Sequence, residues 1–134
     1  MPKICIVFDR LRTEEKILQK EAIKLGHDTS LIDAKITQIN TSNQIQDFDF
    51  GNVVLERCVS YYRGLYFTAC LEFLDVPVIN KFNVSAMCGN KLLTSMLLKK
   101  NNIPKPKKYF SFSADSAREN LENVGYPLVI KTII

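Results

Sequence analysis

The run Ile4 to Phe8, ICIVF, is apolar at every position and rich in β-branched residues. A strand with one wet face alternates polar and apolar residues, so an unbroken run needs cover on both faces, as inside a parallel sheet flanked by helices. Asn52 to Leu55 and Val76 to Ile79 repeat the feature, and Asp28 to Ile32 supplies a further strand. Helical patterns separate them. Leu18, Ala22 and Leu25 recur at i, i+4, i+7 after the capping type Thr13, and Gly26 provides a left-handed stop. Tyr62, Tyr66, Ala69 and Phe73 mark the stripe of a second helix ending near Leu74. Between the second and third strands, Ala34 to Asp49 is Gln/Asn/Thr-rich and poorly periodic, a loop with room for one short strand. Repeated strand and helix units of this kind predict a parallel, three-layer α/β domain of about ninety residues.

Charged residues follow two of the strands directly: Asp9, Arg10 and Arg12 after the first, and Glu56 and Arg57, then Ser60, after the third. The carboxyl ends of parallel strands are where open α/β sheets bind ligands. Arg10, Arg12, Glu56, Arg57 and Ser60 are therefore candidate substrate-side residues, although a solvated loop has the same composition.

Residues 76 to 98 read as a short strand, a polar turn with one helical turn, and a longer helix from about Lys91 to Lys100, with Ser85 and Asn90 as good cap types. A helix start collects free N–H groups and partial positive charge, so the ammonium of Lys91 there suits a phosphate. The spacing is not that of a P-loop, because Asn90 separates Gly89 from Lys91. A lysine in the first turn of a helix is equally at home in solvent.

Beyond this helix the pattern changes. Asn101 to Lys108, NNIPKPKK, is a proline-broken basic connection with an extended path. Lys108 to Phe112 then reads as a strand, and Ser113 caps a helix with Ala117, Leu121 and Val124 on one face and a stop at Gly125. A last strand is expected from Leu128. In it Val129, Lys131 and Ile133 share a face, so Lys131 needs either a nearby anion or an edge position. The chain ends within this apolar stretch, which reads as an interrupted domain.

Composition narrows the function classes. Lys and Arg number 18 against 14 Asp and Glu, a balance of +4 that is too mild to argue for nucleic acid and suits a small anionic ligand equally well. The four cysteines, at 5, 58, 70 and 88, form no CxxC pair, so neither a zinc site nor a disulfide framework is indicated. No apolar stretch approaches the length of a signal peptide or membrane span, and a cytoplasmic location is expected.

Taken together, these features resemble the N-terminal half of an ATP-grasp ligase. VVLERCVSYYRGL at 53–65, VPVIN at 76–80, MCGNK at 87–91, DRLR at 9–12 and GYPLVIK at 125–131 are similar to the LysX branch of that superfamily, which also includes RimK-like enzymes. The resemblance covers essentially the whole chain. It implies a pre-ATP-grasp domain over 1–89 and, over 90–134, the start of the α+β ATP-grasp subdomain. Asn90 stands where that family often has aspartate, a change that keeps the cap.

The resemblance also implies an activity. Such enzymes activate a carboxylate with ATP as an acyl phosphate, which an amine attacks to form an amide. In the LysX branch the acceptor is the C-terminal glutamate of an acidic amino-group carrier protein, and the amine is α-aminoadipate, or glutamate in the arginine route. Lys91 and Lys131 become the nucleotide-phosphate lysines by resemblance. The glycine-rich phosphate loop and the ligands for Mg2+ are expected in a C-terminal half, so no catalytic residue or metal ligand is assigned within this chain. Two lysine contacts are worth roughly 3 to 6 kcal/mol gross, against about 4 for a millimolar complex before ordering costs, so ATP binding by this chain alone is expected to be poor. The alternative is a non-catalytic α/β module that docks on a partner chain. Neither reading calls for nucleic acid or a membrane, and a homo-oligomer is compatible with both.

Overall fold

The computed structural model describes residues 1–42 and 48–134, with the side chains of all but residues 122 and 123. Residues 43–47 of the expected 34–49 loop lie outside the described residues. The chain divides into two compact units, Met1–Ala86 and Met87–Ile134.

In the first unit β1 (Lys3–Phe8) leads to α1 (Thr13–Lys24) and β2 (Asp28–Asp33), then β3 (Val53–Glu56), α2 (Tyr61–Phe73) and the short β4 (Val78–Ile79). The sheet order is β2-β1-β3-β4 and all three pairings are parallel. Ile6 pairs with Leu31 on one side and Leu55 on the other, so β1 is an inner strand. Its residues Cys5, Ile6 and Val7 are completely buried, as the unbroken apolar run requires.

The chain moves one way across the sheet from β1 to β2 through α1, and the other way from β3 to β4 through α2. Right-handed crossovers in opposite directions place the two helices on opposite faces, which produces the three layers. On the α2 face, Cys5, Val7, Val54 and Val78 pack with Phe67 and Leu71. Phe50 completes that core, meeting the Phe67 ring edge-on with centroids 6.3 Å apart.

Both helices form where the periodicity predicts, and α1 buries the expected face around Ala22, but α2 buries a different face from the one expected. In α2 the buried residues are Gly64, Leu65, Phe67, Thr68 and Leu71, whereas Tyr62, Tyr66 and Phe73 are each more than half exposed. This helix is apolar on nearly every side, so the position of the sheet, not the pattern, selects the face. In α1 the buried residues are Glu15 and Ala22, while Leu25 is largely exposed. A buried glutamate is invisible to a search for apolar stripes.

The division between the units falls within α3 (Phe82–Gly89), which is longer than the single turn expected. The second unit then contains α4 (Lys91–Lys100) and α5 (Ala114–Val124). Asn90 and Ser113 cap them as predicted: the Asn90 side chain accepts from Leu92 N and Leu93 N at 3.0 Å each, and Ser113 Oγ accepts from Ser116 N at 3.1 Å. The strands expected at 108–112 and from Leu128 are not formed, and neither stretch pairs with another strand among the described residues. An extended segment becomes a strand only where a second edge supplies hydrogen bonds. Val129 and Ile130 are largely exposed, and so is Lys131, which therefore does not lie between covered neighbours.

The α2 face gives a direct test. Leu71→Ala should lower stability by about 2 to 5 kcal/mol, because Leu71 is completely buried. Tyr62→Ala, at a position 56% exposed, should cost less than about 1 kcal/mol. Denaturant titration of the two variants checks this, and equal losses would put the core on the wrong side of α2.

Candidate functional site

The strand order places a topological switch point between β1 and β3, since the chain leaves β1 to one side and returns on the other. The crevice outside the carboxyl ends of those strands is the expected ligand position in such a sheet. It is bounded by the loop after β1, with Asp9, Arg10 and Arg12, and the loop after β3, from Arg57 to Ser60.

Two buried carboxylates organise these loops. Asp9, only 6% exposed, accepts from Val59 N at 2.8 Å, Ser60 N at 3.1 Å and Arg63 Nη1 at 2.6 Å. It therefore ties the end of β1 to the start of α2. Burial pushes its carboxyl up, but the two backbone N–H groups and the Arg63 guanidinium outweigh that and leave it below the usual aspartate value. Ser60, at the N-cap of α2, makes no capping bond with its own hydroxyl.

Glu15 is completely buried in the first turn of α1. Its carboxylate accepts from Arg12 three times, from the backbone N at 2.9 Å, Nε at 3.1 Å and Nη2 at 2.7 Å. Arg57 Nε reaches the same carboxylate at 3.3 Å from the other loop. The Arg12 side chain holds the Glu15 carboxyl down to about 2, against the opposing effect of burial.

Glu56 lies on the opposite face of β3 from Arg57, by strand alternation. Its Oε1 accepts from Cys58 N at 2.6 Å. A Cβ added at Gly64 would stand 2.5 Å from that same oxygen, so glycine lets α2 pass over the carboxylate. Burial first, and then the Glu56 carboxylate, push the Cys58 thiol well above its ordinary value. Cys58 is thus a poor nucleophile despite its position at the strand end.

The structure brings Arg12 and Arg57 together through Glu15, with Glu56 and Ser60 at the same edge of the sheet. Arg10 is exposed and makes no ion pair among the described residues. Sequence reasoning did not select Glu15 and Arg63, and noted Asp9 without giving it a role. The available signal was Glu15 three residues after Arg12, the capping-box spacing. In the second unit, Lys91 sits at the start of α4, where its backbone N donates to Ile133 O at 2.9 Å and its Nζ lies 3.5 Å from the same oxygen. Segment 131–133 therefore passes beside the α4 start, and Lys131 is exposed there.

Comparison with known proteins places this geometry in context. Residues 4–87 match the family model described as the LysX preATP-grasp domain. The alpha-aminoadipate–LysW ligase LysX of Sulfurisphaera tokodaii is 37% identical over 132 residues, covering 96% of this chain and 45% of that protein. The LysX of Saccharolobus solfataricus is 34% identical over 122 residues, 91% of this chain and 44% of that protein. The glutamate–LysW ligase ArgX of Sulfolobus acidocaldarius is 31% identical over 129 residues, 96% and 45% respectively. The chain thus spans less than half the length of these relatives. A solved RimK domain protein ATP-grasp from Sphaerobacter thermophilus shares the fold at TM-score 0.81 and 22% identity, over 98% of this chain and 49% of that one.

The Glu15 clasp makes stability pH-dependent with a definite sign. A carboxyl lowered from 4.5 to about 2 on folding contributes stability that is complete above its unfolded value and is lost as pH falls from about 4.5 toward 2. The span corresponds to about 3 kcal/mol, and Asp9 adds in the same direction. Urea titrations across this range should show the loss, and Glu15→Gln should flatten the curve while lowering stability at neutral pH. An unchanged slope in the variant would refute the assignment.

Proposed function

This chain belongs to the LysX preATP-grasp domain family, and from that premise we propose that it forms the N-terminal part of an ATP-dependent carboxylate–amine ligase. The observation that carries the reading is the alignment with LysX and ArgX ligases over 91% to 96% of this chain. In this reading residues 1–89 are the pre-ATP-grasp domain and 90–134 begin the ATP-grasp subdomain. The family match ending at residue 87 and the structural division after Ala86 support that boundary.

The reaction joins α-aminoadipate, or glutamate, to the C-terminal glutamate of an amino-group carrier protein in lysine or arginine biosynthesis. A carboxylate oxygen of the acceptor attacks the γ-phosphorus of ATP and ADP departs; the amine then attacks the acyl carbon and phosphate leaves. Phosphoryl transfer of this kind depends on positioning and charge stabilisation. Lys91 and Lys131 are assigned to the nucleotide phosphates. Their fit rests on exposure: among the described residues the Lys91 ammonium makes one polar contact, the long one to Ile133 O, and Lys131 is exposed. Magnesium would supply further charge neutralisation. No group of three or more acidic, His or Cys side chains suited to a metal occurs among the described residues, so no residue of this chain is assigned to it.

Lys99, Lys105, Lys107 and Lys108 line an open groove of about 630 Å³ together with Ile103 and Tyr109. Its charge suits an acidic protein, and we assign the carrier to it. No helix among the described residues is long and apolar enough to cross a membrane, and the biosynthetic reading carries with it a cytoplasmic location.

Two measurements test this. Amino-acid- and carrier-dependent ADP release should be found in the protein as encoded, with Lys91→Met and Lys131→Met each raising KM for ATP at least about tenfold, the equivalent of one 1.4 kcal/mol contact. ADP release indifferent to both substrates would remove the ligase reading. Carrier affinity should fall with added salt and fall less steeply in a Lys105→Glu, Lys107→Glu variant. A salt-independent affinity would remove the groove assignment.

A further inference from the structure

We propose that Arg57 and Arg12, clasped by the buried carboxylate of Glu15, form a recognition site for a small carboxylic acid at the carboxyl ends of β1 and β3, with Glu15 as the positioning residue. The inference rests on the ligase reading and specifies the substrate group that this edge of the sheet receives.

A completely buried carboxylate is strongly unfavourable unless its oxygens are satisfied. Arg12 already does that, through two side-chain bonds and a backbone N–H. A staple within the first turn of α1 needs nothing more. Yet a second guanidinium arrives from a loop 42 residues further along, and it spends only its Nε, at 3.3 Å.

The two terminal nitrogens of Arg57 have no hydrogen-bond partner among the described residues, and its side chain is 40% exposed. The Nε anchor fixes the plane of the group while leaving its forked end open. That fork matches the two oxygens of a carboxylate, and a fork held in place before binding loses less freedom on binding. Arg12, 34% exposed, stands on the same buried anion. Arg10, exposed and without an ion pair among the described residues, belongs to the same loop.

Neighbouring acids leave this side of the strand ends positive. Asp9 is taken up by Arg63 and two backbone N–H groups. Glu56 lies on the other face of β3, beside Gly64. Glu14 approaches Arg12 Nε only to 4.0 Å and is largely exposed. Phosphate shares the oxyanion geometry, but the reading assigns nucleotide phosphate to Lys91 and Lys131, so a carboxylate is the ligand expected here.

Nitrogen-labelled arginine side chains provide the test in the protein as encoded. Titration with L-glutamate and L-α-aminoadipate should move the Nε–H signals of Arg57 and Arg12 saturably. Arg57→Gln should weaken that binding at least tenfold with the melting temperature held, and Arg57→Lys, which keeps charge without the fork, should fall between. Glu15→Gln should weaken it as well. Arginine signals that stay fixed through concentrations saturating a millimolar site, or that respond equally to inorganic phosphate, overturn the proposal. The ligation assay separates the two levels. If the parent ligates and Arg57→Gln leaves KM for the amino acid unchanged, the clasp fails and the ligase reading stands. If the arginines respond but the parent does not ligate, the clasp stands and the ligase reading fails.

Discussion

The complete burial of the centre of β1 is the constraint from which the rest of the first unit follows. With Cys5, Ile6 and Val7 excluded from solvent, both faces of the sheet need helices. Parallel pairing with β2 and β3 means that each connection must cross back over the sheet, and right-handed crossover places one helix on each side. An inner first strand with neighbours reached in opposite directions also creates the switch point. Fold and candidate site are therefore two consequences of one strand.

Charge completes what apolar packing begins. At the switch point the two loops are tied together by Asp9 and Glu15, which are desolvated by the elements they join. Each would destabilise the fold if left with no partner at all, since a buried lone charge costs more than a paired one returns. Each also gathers donors from segments distant in sequence, and so fixes the separation of the two loops. A surface ion pair such as Lys24–Glu21, with both side chains more than half exposed, cannot do this, because solvent screens it and its side chains are free to move.

The strands and helices of the first unit were legible because runs such as ICIVF and stops such as Gly26 act locally. The strand ends carrying Arg10, Arg12, Glu56, Arg57 and Ser60 were legible for the same reason: topology puts them at one edge whatever their side chains do. The partners were not. Glu15 reads as an ordinary acidic residue in a first helical turn, and only the structure shows that it is buried under Arg12 and shared with Arg57. The exposed Tyr62 and Tyr66 reflect the same limit, because an all-round apolar helix does not state which side the sheet will take. In the second unit, caps at Asn90 and Ser113 were readable from residue type, whereas the late strands were not formed because strand structure depends on a second edge that residue type does not supply.

Similarity does not choose between the two amino acids, since relatives named for α-aminoadipate and for glutamate match at 31% to 37% identity. Physical chemistry explains why this chain offers little more. The two amino acids differ by one methylene, worth about 1 kcal/mol when judged by burial alone. Larger discrimination needs two polar anchors at a fixed separation, so that the wrong chain length leaves one of them unpaired. The arginine pair on Glu15 is a single anchor. A carboxylate received there, as proposed, would be gripped whatever the length of the chain behind it, which leaves the choice between such acids to a second contact.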